Sequence, residues 1–153
     1  MTKTLHLDST SQLKTEQIAE RLASNLRGGE VIELVSDLGG GKTTFVRGLA
    51  RGLGSPDHVS SPTFKISNVY KGQQLVLYHF DFYRLPEAGL VASELAEVIG
   101  LPGSVVVIEW GDVVKDVLPP EKLTVKLSVT ADDERRLQFS YPDKLAYLTK
   151  GLN

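Results

Sequence analysis

The chain has 153 residues, no cysteine, and 17 basic against 19 acidic side chains, for a formal net charge of −2. That excludes a disulfide framework and any thiolate metal site, and an acidic balance argues against gripping nucleic acid unaided. The length predicts one domain spanning 1–153. A chain of this size buries roughly 68–70% of its unfolded surface and needs no staple. Met1–Asp8 lacks the long apolar stretch of a secretion signal, and no run approaches a membrane span. The expectation is a soluble cytoplasmic protein that does not enter a membrane.

Thr4–Leu7 alternates and predicts a short strand. Ser11–Leu26 predicts a helix, with Ile18, Leu22 and Leu26 one turn apart and Ala19 and Ala23 widening the stripe. Gly28-Gly29 ends it. Val31–Val35 is a short apolar run read as a buried strand. Gly39-Gly40-Gly41 follows, then a helix carrying Phe45, Val46, Leu49, Ala50 and Leu53, stopped at Gly54-Ser55-Pro56. Phe64–Tyr70 and Leu75–Phe82 predict two strands around a turn at Lys71-Gly72. Glu87–Ile99 is helical in pattern and ends at Gly100. Val105–Ile108 is an unbroken β-branched run, as in a strand covered on both faces. Leu123–Val129 and Arg135–Tyr141 alternate strictly, with Asp132-Asp133 as the turn between them, and Lys144–Leu148 predicts a terminal helix. Strands mixed with helices, the first buried strand joined to a helix through glycines, predict an α/β three-layer sandwich, of the P-loop NTPase kind if those glycines cradle phosphate. Its sheet is expected to be mixed, mainly parallel at the centre, with two antiparallel hairpins.

The strongest local signal is Ser36-Asp37-Leu38-Gly39-Gly40-Gly41-Lys42-Thr43-Thr44. Gly41-Lys42-Thr43 matches the end of G-x-x-x-x-G-K-[ST], whereas Ser36 stands at its first glycine. Glycines let successive backbone N–H groups turn inward around phosphate oxygens, and the helix N-terminus favours an anion. Lys42 would then reach the β- and γ-phosphates, and the Thr43 hydroxyl would ligate Mg²⁺. The tripeptide alone is a weak signal. Its place between a buried strand and an amphipathic helix is what gives it weight.

A phosphate loop needs a second acidic element. Glu109 ends the Val105–Ile108 run, which delivers a carboxylate to the C-terminal edge of the sheet, where open α/β folds bind ligands. Asp81 is a second candidate. Positions 77, 79 and 81 share one strand face, so His79 and Asp81 project the same way.

Four motifs then occur in order: Leu38–Phe45, Ser61-Pro62-Thr63-Phe64, His79–Leu85 and Ile108-Glu109-Trp110. Together they resemble the TsaE (YjeE) family of small bacterial ATPases needed for threonylcarbamoyladenosine in tRNA. The resemblance runs from about Thr15 to Trp110. Ser36 stands where the family usually has glycine, Gly40 where it often has alanine, and Phe82 where leucine is common. The resemblance implies an ATP site over Asp37–Thr44, with Thr43 and Glu109 holding Mg²⁺. It implies Lys42, Asp81 and Glu109 as catalytic residues, Asp81 acting near the metal or the attacking water. Ser61, Pro62 and Thr63 would form a nucleotide-sensing loop. Tyr83, Arg84 and Trp110 would serve the switch or a partner. Ser11 and Gln12 would lie near the base, and Arg136 would touch the nucleotide. The implied partners are TsaB and TsaD, with tRNA met only through that complex, which modifies adenosine 37 in tRNAs reading ANN codons. Two other functions fit the motifs. One is a nucleotide-gated binding module with negligible turnover. The other is a small-metabolite kinase, disfavoured because Arg84 is the only arginine between Leu53 and Val105. No N-K-x-D guanine motif is present.

Overall fold

The computed structural model describes residues 2–36, 41–56, 59, 67–82 and 89–153. In chain order these form β1 (Thr2–Ser9), α1 (Gln12–Ser24), β2 (Val31–Val35), α2 (Lys42–Gly52), β3 (Ser67–Lys71), β4 (Val76–Asp81), α3 (Gly89–Val98), β5 (Ser104–Glu109), β6 (Leu123–Val129) and β7 (Arg135–Pro142). Two 3-10 segments, Gly111–Val114 and Asp143–Thr149, follow β5 and β7. The second replaces the predicted terminal helix. β1 is longer than expected because pairing with β7 recruits the residues flanking Thr4–Leu7. The predicted start of β3 at Phe64 lies outside the described residues.

One seven-stranded sheet carries the order β1-β7-β6-β2-β5-β4-β3. Its four central strands, β6, β2, β5 and β4, are mutually parallel. The β3–β4 and β6–β7 hairpins and the β1–β7 pair are antiparallel. The mixed, centrally parallel sheet is therefore as expected. Alternation along each strand separates two cores. Ile18 and Leu22 of α1 and Phe45 and Leu49 of α2 bury Ile32, Leu34, Val105, Val107, Val125 and Phe139 on one face. Leu95 of α3 buries Val31, Phe80, Val106 and Ile108 on the other. β5 is buried along its whole length, which explains its unbroken apolar run. No described helix is long and apolar enough to cross a membrane.

α1 and α2 pack side by side in the same direction. The contact depends on two glycines. A Cβ on Gly48 would lie 2.3 Å from the Glu16 carbonyl oxygen, and one on Gly52 would lie 2.6 Å from that of Glu20. Continuing the register one turn towards the N-termini sets Gln12 level with Thr44. Both helices therefore start at the edge where β1, β2, β4, β5 and β6 end.

The opposite edge is held by Glu30, a buried carboxylate. It accepts the backbone N–H groups of Arg27 at 2.8 Å and Gly28 at 2.7 Å, and the Tyr147 hydroxyl at 2.6 Å. Burial, reinforced by that hydrogen bond and by the Glu30 charge, pushes the Tyr147 phenol well above its ordinary range. The chain between α1 and β2 turns at Gly28 and Gly29, both at positive φ, as the glycine pair predicts.

Two predictions follow from these packing constraints. Gly48→Ala should destabilise the fold by about 1–3 kcal/mol, because the backbone clash outweighs the roughly 1 kcal/mol gain in helix propensity. A Cβ on Gly103 meets nothing within 4 Å, so Gly103→Ala should be close to neutral. Denaturant midpoints for the pair check this, and equal shifts would refute the close-contact account. The second concerns Glu33, a half-buried carboxylate on β2. Burial raises it from its ordinary value; Lys122 opposes the shift and the Asp112 charge adds to it. A raised native pKa means that ionisation costs stability as pH rises from the ordinary value through the raised one. Glu33→Gln should therefore raise the melting temperature at neutral pH, and the gain should vanish below the carboxylate range.

Candidate functional site

β2 ends at Val35 and α2 begins at Lys42, so the strand end and the helix start both stand at the C-terminal edge of the parallel strands. Gly41 caps α2 with φ 100° and ψ 16°, a left-handed conformation that favours glycine. This turn sends Lys42 inward. Although charged, Lys42 is only 8% exposed. Its Nζ donates to the Ser36 carbonyl at 3.3 Å and lies 3.5 Å from Glu109 Oε1. It also sits 4.7 Å from the centre of the Trp110 ring, in a cation–π contact.

Glu109 ends β5 on the same sheet face as Val105 and Val107, the face α2 covers. It is 3% exposed, and its second oxygen, Oε2, pairs with Nε2 of the fully buried His79. Asp81 ends β4 directly opposite Glu109 in the parallel register and is half-buried. Lys42, His79, Asp81 and Glu109 thus come from three elements to one corner, as strand alternation and the sheet order require.

Immediately after Glu109 the chain reverses. Trp110 adopts φ 58° and ψ 50°, the only positive φ at a non-glycine position among the described residues. An aromatic residue in that region costs on the order of 1–2 kcal/mol. The reversal leaves the indole partly exposed against Lys42. A cavity of about 140 Å³ runs from Ser36 and Lys42 past Trp110 to Asp112 and Glu33. A larger open groove is lined by Gln17, Glu20, Arg21 and Ser24. All four belong to α1, so convergence of charge rather than volume marks the site.

Thr43 and Thr44 occupy the first turn of α2, both half-buried. Ser11 caps α1, its hydroxyl accepting the Lys14 N–H at 3.0 Å, and Gln12 is exposed in the first turn. Both stand at the same sheet edge. Arg136 does not come to this corner. It lies on the face of β7 opposite the α1–α2 layer, and its Nε donates to Asp8 Oδ1 at 3.1 Å. Its neighbour Arg135 shares the face of Leu137 and Phe139. Arg135 Nε lies 3.5 Å from where a Cβ on Gly41 would stand. Its Nη1 donates to the carbonyls of Ala131, Asp132 and Glu134. The signal for Arg135 was the alternation itself, since the position buried at 137 and 139 faces the helices. Asp37, Leu38, Gly39, Gly40, Ser61, Pro62, Thr63, Tyr83 and Arg84 lie outside the described residues. Among the described residues, no group of three or more His, Asp and Glu side chains forms a metal cluster.

The family model for "Threonylcarbamoyl adenosine biosynthesis protein TsaE" matches residues 9–137. The tRNA threonylcarbamoyladenosine biosynthesis protein TsaE of Bacillus subtilis is 37% identical over 132 residues, covering 83% of this chain and 79% of that one. The protein of the same name from Treponema pallidum is 42% identical over 112 residues, covering 73% and 82%. The crystal structure of YdiB from Bacillus subtilis superposes with a TM-score of 0.79 at 34% identity, covering 99% of this chain and 95% of that one. With these matches, and with a buried lysine opening α2 beside a strand-end glutamate on a centrally parallel sheet, the chain belongs to the TsaE family.

Proposed function

We propose that this chain is a Mg-dependent ATPase, acting as one unit of 153 residues in the cytoplasm, that serves formation of threonylcarbamoyladenosine in tRNA. The observation that carries the reading is the buried Lys42, delivered by the left-handed Gly41 cap and facing the carboxylate of Glu109. A lysine held at a helix N-terminus beside a strand-end carboxylate is a charge pair suited to a triphosphate and its counter-ion.

The donor set fits Mg²⁺. This ion binds through one or two protein oxygens together with substrate phosphates and water, and needs no dense carboxylate cage. The Thr43 hydroxyl and the Glu109 carboxylate would supply those oxygens. When bound, Mg²⁺ offsets negative charge on the β- and γ-phosphate oxygens.

Lys42 exchanges its partners on binding. Unit charges 4 Å apart attract by roughly 4 kcal/mol at an effective dielectric of 20. A polyphosphate carries several such charges, so it outcompetes the single carboxylate for the ammonium. Lys42 then neutralises charge that develops on the transferred phosphoryl group, and the first-turn N–H groups of α2 bind its oxygens. Asp81, opposite Glu109, orients the attacking water. Ser11 and Gln12, level with Thr44, contact the nucleoside. Arg135 beside Gly41 is a better placed nucleotide contact than Arg136. Asp37–Gly40 complete the phosphate loop, and Ser61, Pro62 and Thr63 act as the nucleotide-sensing segment.

TsaB and TsaD are the partners in this reading, with tRNA reached only through them. Trp110, Tyr83 and Arg84 serve the switch or the docking of a partner. The indole is 38% exposed beside Lys42, so a partner seated there excludes water from the charges. A second reading, a nucleotide-gated binding module, is favoured by the mutual occupation of Lys42 and Glu109. That pair alone makes a ligand-operated latch. Phosphate release measured with and without TsaB and TsaD separates the two. Faster release on docking supports the ATPase, and no release in either condition supports the module.

Lys42→Ala should weaken ATP binding by roughly 1.5–3 kcal/mol, about ten- to a hundredfold in Kd, read by calorimetry. Unchanged affinity would remove the phosphate-loop assignment. Thr43→Ala should reduce affinity more with Mg²⁺ present than in chelator; equal losses would argue against its role as a ligand. Glu109→Gln should fold, and its hydrolysis in the partner complex should fall by about two orders of magnitude, typical of losing one electrostatic stabiliser. Wild-type turnover would make Glu109 a plain strand-end residue.

A further inference from the structure

We propose that His79 is the positioning residue of Glu109, fixing one carboxylate oxygen so that the other alone exchanges between Lys42 and an incoming ligand. The inference rests on the reading of Glu109 as a phosphate-site carboxylate.

His79 stands where the fold would accept an aliphatic side chain. It lies on β4 between Leu77 and Asp81, opposite Val107 of β5, on the sheet face covered by α1 and α2. Its exposure is 0%. Burying an imidazole there costs desolvation that leucine would avoid, so the polar ring needs a reason. Its Nε2 meets Glu109 Oε2. Among the described residues, its Nδ1 is the buried side-chain polar atom with no hydrogen-bond partner.

Of the two single-proton tautomers, that accounting favours the one with the proton on Nε2. With the proton on Nε2, the ring donates to a carboxylate, and the unpartnered atom is a bare lone pair. With the proton on Nδ1, a buried N–H goes unmet and a lone pair faces a carboxylate. The second arrangement loses a charge-assisted hydrogen bond and adds a repulsive contact.

The two oxygens of Glu109 therefore have separate duties. Oε2 is held by a ring that β4 and its packing keep in place. Oε1 lies 3.5 Å from Lys42 Nζ, a group that must leave when phosphate arrives. Without His79, departure of Lys42 frees the carboxylate to rotate, and the ordering cost returns at each binding event. With it, Oε1 stays aimed at the space Lys42 vacates. Partners of this kind orient metal-site ligands without touching the metal.

The test compares His79→Leu, which removes the donor, with His79→Gln, whose amide N–H restores one at a similar reach. A non-hydrolysable ATP analogue is titrated by calorimetry at saturating Mg²⁺ and in chelator. His79→Leu should lose at least about tenfold of the Mg²⁺-dependent gain in affinity, with chelator affinity within about twofold of wild type. His79→Gln should recover most of the loss. A merely structural role would lower both affinities together and would not separate the variants. A full Mg²⁺-dependent gain in His79→Leu, or equal losses in both variants, overturns the proposal. If His79→Leu does not fold, nitrogen NMR of the wild-type imidazole decides. A proton on Nε2, with a signal that moves in Glu109→Gln, supports the proposal; a proton on Nδ1 overturns it. If wild type shows no Mg²⁺-dependent gain, the metal-site reading of Glu109 falls, and the NMR signal still tests the His79–Glu109 bond.

Discussion

The charged corner at the sheet edge depends on one interaction, the buried ion pair between Lys42 Nζ and Glu109 Oε1. Removing two charges from water is expensive, and an isolated pair of this kind is often no more stable than a well-packed apolar substitute. Here it sits among the Ser36 carbonyl, the His79 ring and the Trp110 indole, each of which compensates part of that cost. Such an arrangement contributes little net stability. What it does provide is two poised groups of opposite charge that a polyanion and a cation can pull apart.

Bringing those groups together requires most of the fold. Lys42 needs Gly41 in the left-handed region, and α2 needs the glycine-lined contact with α1 that sets its axis. Glu109 needs β5 at the centre of the sheet, paired on one side with β2 and on the other with β4. The β4 pairing also carries Asp81 and His79 to the same corner. Trp110 marks the end of this positioning. Its left-handed backbone turns the chain away immediately after Glu109, and the strain is kept at the site rather than dispersed through a longer loop.

Local chemistry made much of this legible. Val105–Ile108 reads as a strand covered on both faces, and β5 is buried throughout. Alternation places His79 and Asp81 on one face, and both lie towards α2. What stayed hidden was long-range. No local pattern dictates that β5 inserts between β2 and β4, and the ion pair follows only from that order. Arg136 shares a strand face with the polar Gln138 and Ser140, whereas the face holding Leu137 and Phe139, which also carries Arg135, is the one leading to Gly41. Arg136 instead meets Asp8 on a neighbouring strand, a partner far away in sequence. Lys144–Leu148 has the composition of a helix, yet tethering Tyr147 to Glu30 accompanies a tighter 3-10 path.

The partner exchange of Lys42 is tested most directly by a crystal structure of the full chain with Mg²⁺ and a non-hydrolysable ATP analogue. The account predicts Lys42 Nζ on the β- and γ-phosphate oxygens, Glu109 Oε1 turned to the ion or its water, and Oε2 still held by His79. A bound nucleotide with Lys42 still paired to Glu109, or with Glu109 turned away from the phosphates, would contradict it.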